Sequence, residues 1–455
     1  MELQRVYEYI ERSLGDATDL LDRLCRQPSV SAQDLGVQEM AHLLADTFRS
    51  YGLSTQLVPT DGGPPLVFGE IKGHSDKALL LYNHYDVVPP EPLDAWQTPP
   101  FKPSCRNGMI FARGAADNKG EIVARLQAIR ALQDVLGELP VTVKFVVEGE
   151  EESGSIHLAG GLRKSRGLLG AEACFFESGG IDVNGAPQLL LGTKGLLYVE
   201  LRARTAAADT HSSTAPVVPN AAWRLVSALA SLKAPDERVL VDGFYENVRP
   251  WDPEESEALS SIPHQDQETQ LRKQLGISAF LGDVTGVEWI TRLLSNPTCN
   301  ICGINSGYVL QGVKTVLPAT ATAKLGFRLV PDQRPDEITH KLRVHLSAHG
   351  FADIDVHVLG SWPPYRLPVT HPVAQRVMSI ATGFYGRPPV VYPIEAASCP
   401  MAIFSNELHI PVIATPGGLT YHGDNIHAPN ENLRIADLIE ASKFVATLIA
   451  RFEAD

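Results

Sequence analysis

Several features are scarce in this 455-residue chain, and each absence removes a class of protein. No run of about 18 apolar residues occurs, so no membrane-spanning helix is expected. The opening MELQRVYEYIERSLGD lacks a basic segment followed by an apolar one, which speaks against a secretory signal. Cysteine is thin: six residues spread over the whole length do not make a dense disulfide framework. The expectation is a cytoplasmic protein with reduced thiols. Cys299 and Cys302 are spaced like half of a zinc ribbon, but the second half is missing. Both lie in the apolar run TCNICGI, so buried strand side chains are expected there. No strand is followed by a G-x-G-x-x-G run opening a helix, which excludes the usual dinucleotide-binding fingerprint. Positive charge is in deficit, with 39 Lys and Arg against 53 Asp and Glu and a formal net charge of -14. That balance argues against nucleic acid and anionic membrane as partners. No internal repeat or low-complexity tract stands out.

What is present looks like an ordinary globular chain, 44% hydrophobic and 20% charged. Its length exceeds what one core usually holds, so two or more domains are expected. Apolar residues Val37, Met40, Ala41, Leu44 and Phe48 recur at helical spacing, and Ile122, Val123, Leu126, Ile129 and Leu132 form a second stripe. KALLLYNHYDVV, VTVKFVVEG and ACFFESG begin as continuous apolar runs, as buried strands do. Such alternation of strands and helices indicates an α/β domain with a mainly parallel sheet.

The pattern changes near Gly192. LGTKGLLYVELRARTA and ATAKLGFRLVPD alternate with period two, which suits antiparallel strands with one covered face. Helices are expected over residues 220–232 and 335–349, and a polar, Pro- and Glu-rich stretch runs between residues 249 and 274. After Pro363 the α/β pattern resumes, with helices over 373–385 and 435–452 and a strand at IPVIATP. The expected division is a first domain in two parts, residues 1–192 and 363–455, interrupted by an α+β unit over 193–362.

The ends of the buried strands carry the chemistry. LLLYN is followed by His84-Tyr85-Asp86, VTVKFVVEG by Glu150-Glu151-Glu152, and ACFF by Glu177. Asp117 lies in RGAADNKG, ahead of a helix. Ligands of open α/β sheets gather at the carboxyl ends of strands, so these groups would converge. Taken singly, each has a plainer explanation: a helix N-cap for Asp117, a solvated acidic turn for the glutamates, a chance His-x-Asp pair. Jointly they would repel one another unless a cation sat among them, and His with carboxylates suits zinc or manganese.

In the order HYDVVP, RGAADNKG, EGEEESGS, ADTHSS and GDNIHAPNE, these motifs resemble those of the dinuclear zinc exopeptidases and deacylases. That family includes carnosinase-type dipeptidases, carboxypeptidase G, aminoacylase and succinyl-diaminopimelate desuccinylase. The carnosinase-like branch looks nearest. The resemblance implies a zinc-exopeptidase-like catalytic domain interrupted by a lid and dimerisation domain, and two divalent metal ions per subunit, zinc first, with manganese or cobalt as alternatives. It implies that His84, Asp117, Glu152, Glu177 and His427 bind metal, with Asp117 bridging both ions through a cis peptide to Asn118. Asp86 would hold the His84 imidazole or its surroundings. Glu151 would be the general base, although a one-residue slip in the acidic triplet would exchange it with Glu152. His211, offered by a partner subunit, would stabilise the oxyanion. Arg328 would bind the substrate carboxylate through its forked donors, and Thr315, Asn305 and Ser398 would also touch substrate.

The pattern departs from the nearest branch in two places. Glu177 stands where carnosinase-like enzymes commonly place Asp, and IEAASCP stands where they have a Glu-Gly-Gly-Ser run. His409 and His422 have no assigned role. The expected activity is metal-dependent hydrolysis of a dipeptide or similar small amino-acid conjugate. The alternatives are an N-acyl-amino-acid deacylase of the same family and, more remotely, an idle protein that binds an amino-acid-like ligand. A homodimer is expected.

Overall fold

The runs ALLLYNH, VTVKFVVE and ACFF form the centre of an eight-stranded sheet. The computed structural model describes residues 2–453 except 178 and 183. Strand Gly73–His84 is flanked in parallel by Leu139–Glu148 and Ala173–Phe176, and Val412–Ala414 continues the parallel set beyond Ala173–Phe176. Antiparallel pairing enters only at the margins. On one side lie Leu66–Ile71 and Ser54–Val58, and on the other Gln188–Leu190 meets Val412–Ala414 antiparallel and Val390–Tyr392 parallel. The mainly parallel sheet read from the sequence is thus its core. Burial on both faces explains why the central residues of these strands are mainly apolar rather than alternating.

Helix Gly120–Leu136 lies against the sheet, with Ile122, Val123, Leu126, Ile129 and Leu132 fully buried. Its burial extends nearly all round, because helices Glu2–Arg12 and Ile435–Arg451 cover its outer side. Each such fully buried Leu or Ile side chain contributes about 1.5–3 kcal/mol. The burial also takes in Glu121, Arg125 and Gln127.

The second unit is a four-stranded antiparallel sheet in the order Thr298–Ser306, Thr320–Leu329, Gly195–Arg204, Asp355–Trp362. Its alternation is resolved as anticipated: Leu197, Val199, Leu201, Ala323, Leu325 and Phe327 face helices Ala221–Leu232 and Pro335–Ala348 in a separate core. Cys299 joins that core, but Cys302 is exposed, contrary to the expectation that both are buried. Three positions apart in a strand, the two side chains leave opposite faces.

The polar stretch from residue 249 to 274 contains helices that its composition concealed, Pro253–Ser261 and Gln265–Leu275, and a third helix, Gly286–Ser295, follows it. The first is set by local chemistry, with Pro253 at its first turn and Asp252 and Glu255 in a reciprocal capping box. The first two have few apolar residues, whereas Gly286–Ser295 carries Val287, Trp289, Ile290, Leu293 and Leu294. Leu259, Ile262, Trp289, Ile290 and Leu294 pack together on Tyr392 and Ile394 at the edge of the large sheet.

Candidate metal centre

Three neighbouring parallel strands end together, and their carboxyl ends carry His84, the turn Glu150–Glu152 and Glu177. The turn is drawn against the sheet because Gly149 has no side chain: a Cβ there would lie 2.3 Å from the Tyr85 ring. Asp117 comes from the segment Ala115–Lys119 before helix Gly120–Leu136. Asp117 has non-helical φ and ψ of −123° and 92°, and its peptide bond to Asn118 is cis. His427 comes from the loop after strand Val412–Ala414 and has φ of 59°, with Asn425 and Asn430 also left-handed. A left-handed histidine is uncommon, and the conformation aims its ring back at Asp117.

The carboxylate of Asp117 stands between two imidazoles. Its Oδ1 lies 3.0 Å from His84 Nε2 and its Oδ2 lies 3.1 Å from His427 Nε2. Glu177 completes the first side, with Oε2 3.5 Å from His84 Nε2. Glu152 completes the second, with Oε2 3.3 Å from His427 Nε2. The ligand atoms of His84, Asp117 and Glu152 all lie within 4.8 Å of one another. Two half-sites therefore share one carboxylate. In this register it is Glu152 that touches His427, while Glu151 beside it has no direct contact with either imidazole among the described residues.

Charges are crowded here. Burial opposes a proton on His84, yet Glu177, Asp117 and Asp86 outweigh it and hold the imidazole pKa well above its ordinary value. Hydrogen bonds to Asp117 and Glu152 push His427 up to about 10. Burial pushes Glu151 well up, and the charges of Glu177, Glu152 and Asp117 add to it against His84. Such a cluster calls for positive charge at its centre. Glu152 Oε1 is buried and has no hydrogen-bond partner. Two imidazoles, three carboxylates and an unsatisfied oxygen fit a pair of divalent cations in chemistry and number.

The support around these groups is specific. His84 Nδ1 sits 3.1 Å from the carbonyl of Asp86, and with Nδ1 protonated it donates there and leaves Nε2 free as a ligand. The Asp86 carboxylate accepts from the backbone N–H groups of Glu151 and Glu152, each at 3.1 Å. It thereby anchors the acidic turn as well as lying beside the histidine. Asn118 Nδ2 donates to Glu177 Oε2 at 3.1 Å. Buried Arg125 donates to the carbonyl of Tyr82 at 2.6 Å and to Asn83 Oδ1 at 2.8 Å, and also to the carbonyl of Phe176, tying together two strand ends.

Glu431 ends the GDNIHAPNE motif, and the resemblance implies no role for it. It is fully buried. Its oxygens accept from Arg113 Nη1 at 2.7 Å and from the backbone N–H groups of Gly114, Ala116 and Asp117 at 2.9, 2.9 and 3.1 Å. It clamps the loop that carries the shared carboxylate. The sequence signal for it was weak, since its partners are mainly backbone groups more than 300 residues away. In a Glu431→Ala variant, Arg113 is left buried without its partner. The expected loss is about 3–5 kcal/mol of stability and about 10–100-fold in metal affinity, read by urea denaturation and by competition with a chromogenic chelator.

The remaining expected site residues lie elsewhere. Arg328 Nη1 donates to Ser398 Oγ at 2.6 Å, beside Cys399, which lies in the field of Glu177 and Glu151. His211 and Thr315 are exposed and meet each other, Nε2 to Oγ1 at 3.1 Å, and no contact joins them to the metal ligands among the described residues. Asn305 is exposed on the outer strand, opposite Thr322. His409 caps the end of helix Met401–Leu408 with φ of 58°, and His422 adjoins the His427 loop.

The arrangement defines a metal-dependent hydrolase with a clustered His and carboxylate centre at the ends of parallel strands. The signature of the peptidase family M20/M25/M40 matches residues 80–451, and the chain belongs to that family. Within it, the chain is 28% identical over 472 residues to the Beta-Ala-His dipeptidase of Rattus norvegicus, covering 98% of this chain and 94% of that protein. It is 26% identical over 484 residues to the Cys-Gly metallodipeptidase dug1 of Schizosaccharomyces pombe, covering 99% and 98%. Its fold is similar to an M20 family metallo-carboxypeptidase, Sso-CP2, from Sulfolobus solfataricus, with a TM-score of 0.90 and 38% identity over 95% of this chain and 98% of that one. Human carnosine dipeptidase 1 is also similar, with a TM-score of 0.79 and 25% identity over 98% and 99%.

Proposed function

We propose that the protein is a dipeptidase that uses two divalent metal ions, zinc first among them, to hydrolyse the amide bond of a dipeptide or similar small amino-acid conjugate. The observation that carries this reading is the Asp117 carboxylate standing between His84 and His427, with Glu177 and Glu152 on either side. The relatives bearing dipeptidase names support the substrate class.

His84, Asp117 and Glu177 would hold one ion, and Asp117, Glu152 and His427 the other. When bound, the ions lower the pKa of water and polarise the scissile carbonyl. Glu151 takes the proton released by the attacking water and passes it to the leaving amine. Asp86 keeps Glu151 in place through the backbone. Arg328, oriented by Ser398, receives the substrate carboxylate.

His211 and Thr315 enter this scheme from a second copy of the chain. Two surfaces of the 193–362 unit favour such a dimer. Helix Ala221–Leu232 exposes Trp223 at 71%, and the outer strand Thr298–Ser306 exposes Ile301 and Ile304 at 52% and 55%. That strand is the edge of its sheet, so a second copy can extend it. The division 1–192, 193–362 and 363–455 belongs to the same reading. His211→Ala is expected to lower kcat about 100-fold or more, as loss of an oxyanion donor does, with unchanged metal content by atomic emission. Loss of metal in this variant would place His211 among the ligands instead.

No helix of the described residues is long and apolar enough to cross a membrane. A cytoplasmic location is proposed on the free state of all six cysteines.

The deciding experiment is a panel of Xaa-Gly dipeptides set against N-acetyl and N-succinyl amino acids, before and after exhaustive chelation. Dipeptide turnover that vanishes on metal removal and returns with zinc, manganese or cobalt is the expected result. Turnover of the N-acyl compounds alone would favour the deacylase alternative, to which Glu177 in place of Asp lends some support. Full activity without metal would overturn both.

A further inference from the structure

A cavity of about 800 Å³ opens between the antiparallel sheet of the second unit and helix Gly286–Ser295. Its walls include Phe280, Val284, Trp289 and Leu293, and the rings of Phe280 and Trp289 lie 5.5 Å apart. Arg328 and Ala396 also line it. These two residues connect the cavity to the metal centre. Arg328 is hydrogen-bonded to Ser398, and Ala396 shares its loop with Cys399, which lies in the field of Glu177 and Glu151. The loop 395–399 therefore runs from the cavity wall at Ala396 past Ser398 to Cys399, with Arg328 at the doorway.

The charge of the cavity is as telling as its shape. Lys194, only 3% exposed, lines it and donates to the carbonyls of Leu293 and Asn296, both at 2.7 Å. No carboxylate pairs with Lys194 or Arg328 among the described residues; each mainly feels burial, and Lys194 also feels the charge of Arg328. The lining also holds Asp236 and Glu237 together with Lys233, Arg238 and Arg292, and Glu237 is paired with Lys233; cations outnumber carboxylates there, and with the aromatic wall they match a ligand that carries a carboxylate and an apolar body together. An amino-acid residue with a free carboxyl group and a large side chain is such a ligand. A glycine would leave the chamber unfilled.

We propose that this cavity is the subsite for the residue on the carboxyl side of the scissile bond, and that it selects a large apolar or aromatic side chain there while Arg328 holds the carboxylate. The assignment rests on the dipeptidase reading for its orientation. It requires the aromatic wall and the doorway to act on the same substrate residue.

The test compares Ala-Phe with Ala-Gly in two ways: kcat/KM for the zinc-loaded enzyme, and calorimetric binding to the zinc-loaded Glu151→Gln variant, which needs no turnover. A preference of about tenfold or more for Ala-Phe is expected in both, from the apolar area covered. The Leu293→Trp variant, which fills the cavity from a half-exposed helical position, is expected to bring the ratio close to one. Phe280→Ala should reduce it by removing part of the wall. Circular dichroism melts establish that each variant is folded. Equal binding of the two peptides, or a ratio untouched by both substitutions, would overturn the subsite. If neither peptide is hydrolysed but the binding preference and its loss in Leu293→Trp remain, the subsite stands and the dipeptidase reading falls.

Discussion

A Glu151→Gln variant is expected to retain its fold and both metal ions and to lose about 100- to 10,000-fold in kcat, the usual range for a positioned proton-transfer group. The amide preserves the size of the side chain and cannot take the proton of the attacking water. The geometry makes the outcome specific. Glu151 has no direct contact with His84 or His427 among the described residues, whereas Glu152 lies 3.3 Å from His427. Both backbone N–H groups are held by the two oxygens of Asp86, so a change in the Glu151 side chain leaves the turn intact. Steady-state kinetics with metal analysis decides between the two glutamates. If Glu151→Gln emptied the site and Glu152→Gln kept both ions, the acidic triplet would have to be read one residue out of step.

Asp117→Asn is expected to abolish activity through loss of metal rather than loss of a proton acceptor. Both oxygens of Asp117 are engaged, one towards His84 and one towards His427, so no other single change removes a ligand from both half-sites. An amide offers one weakly accepting oxygen and an NH2 group that only donates, and that group would point at an imidazole nitrogen or a cation. The measurement is metal stoichiometry by atomic emission together with the thermal stabilisation conferred by added zinc. A site saturated at a thousand times its dissociation constant stabilises the folded state by about 4 kcal/mol. The native protein should show an effect of that order and the variant little of it. Retention of two ions per chain in the variant would show that Asp117 is not shared.

Much of this centre was legible in the chain itself. Apolar runs that end in His84, Glu150–Glu152 and Glu177 can be read because strands buried on both faces are mainly apolar until they near the carboxyl edge of the sheet. The position of functional groups is therefore written in where hydrophobicity stops. Period-two alternation in GLLYVELRAR identified the antiparallel unit equally well, since only one of its faces is covered. Helices Pro253–Ser261 and Gln265–Leu275 were not legible, because their apolar residues are few; Gly286–Ser295 carries a helical stripe of Val287, Trp289, Ile290, Leu293 and Leu294 that went unread, and its packing partners Tyr392 and Ile394 are more than 95 residues away in the chain.

Glu431 and Arg125 illustrate the same limit within the site. An acidic residue four positions after a histidine carries no mark of its task, because it binds backbone N–H groups, and every residue has one. Arg125 sits in a helix that reads as apolar and serves carbonyls at the ends of two strands. Neither role follows from residue type or spacing.

The order of elements, the parallel core, the antiparallel sheet and the inventory of side chains able to bind metal were determined by the sequence alone, since periodicity and side-chain chemistry are local properties. Tertiary structure decided how Asp117 divides its oxygens between two histidines, which glutamate of the triplet meets His427, and that a cavity opens behind Arg328. Those outcomes depend on distances between segments far apart in the chain, and such distances are set only when the sheet, its helices and the second unit pack against one another.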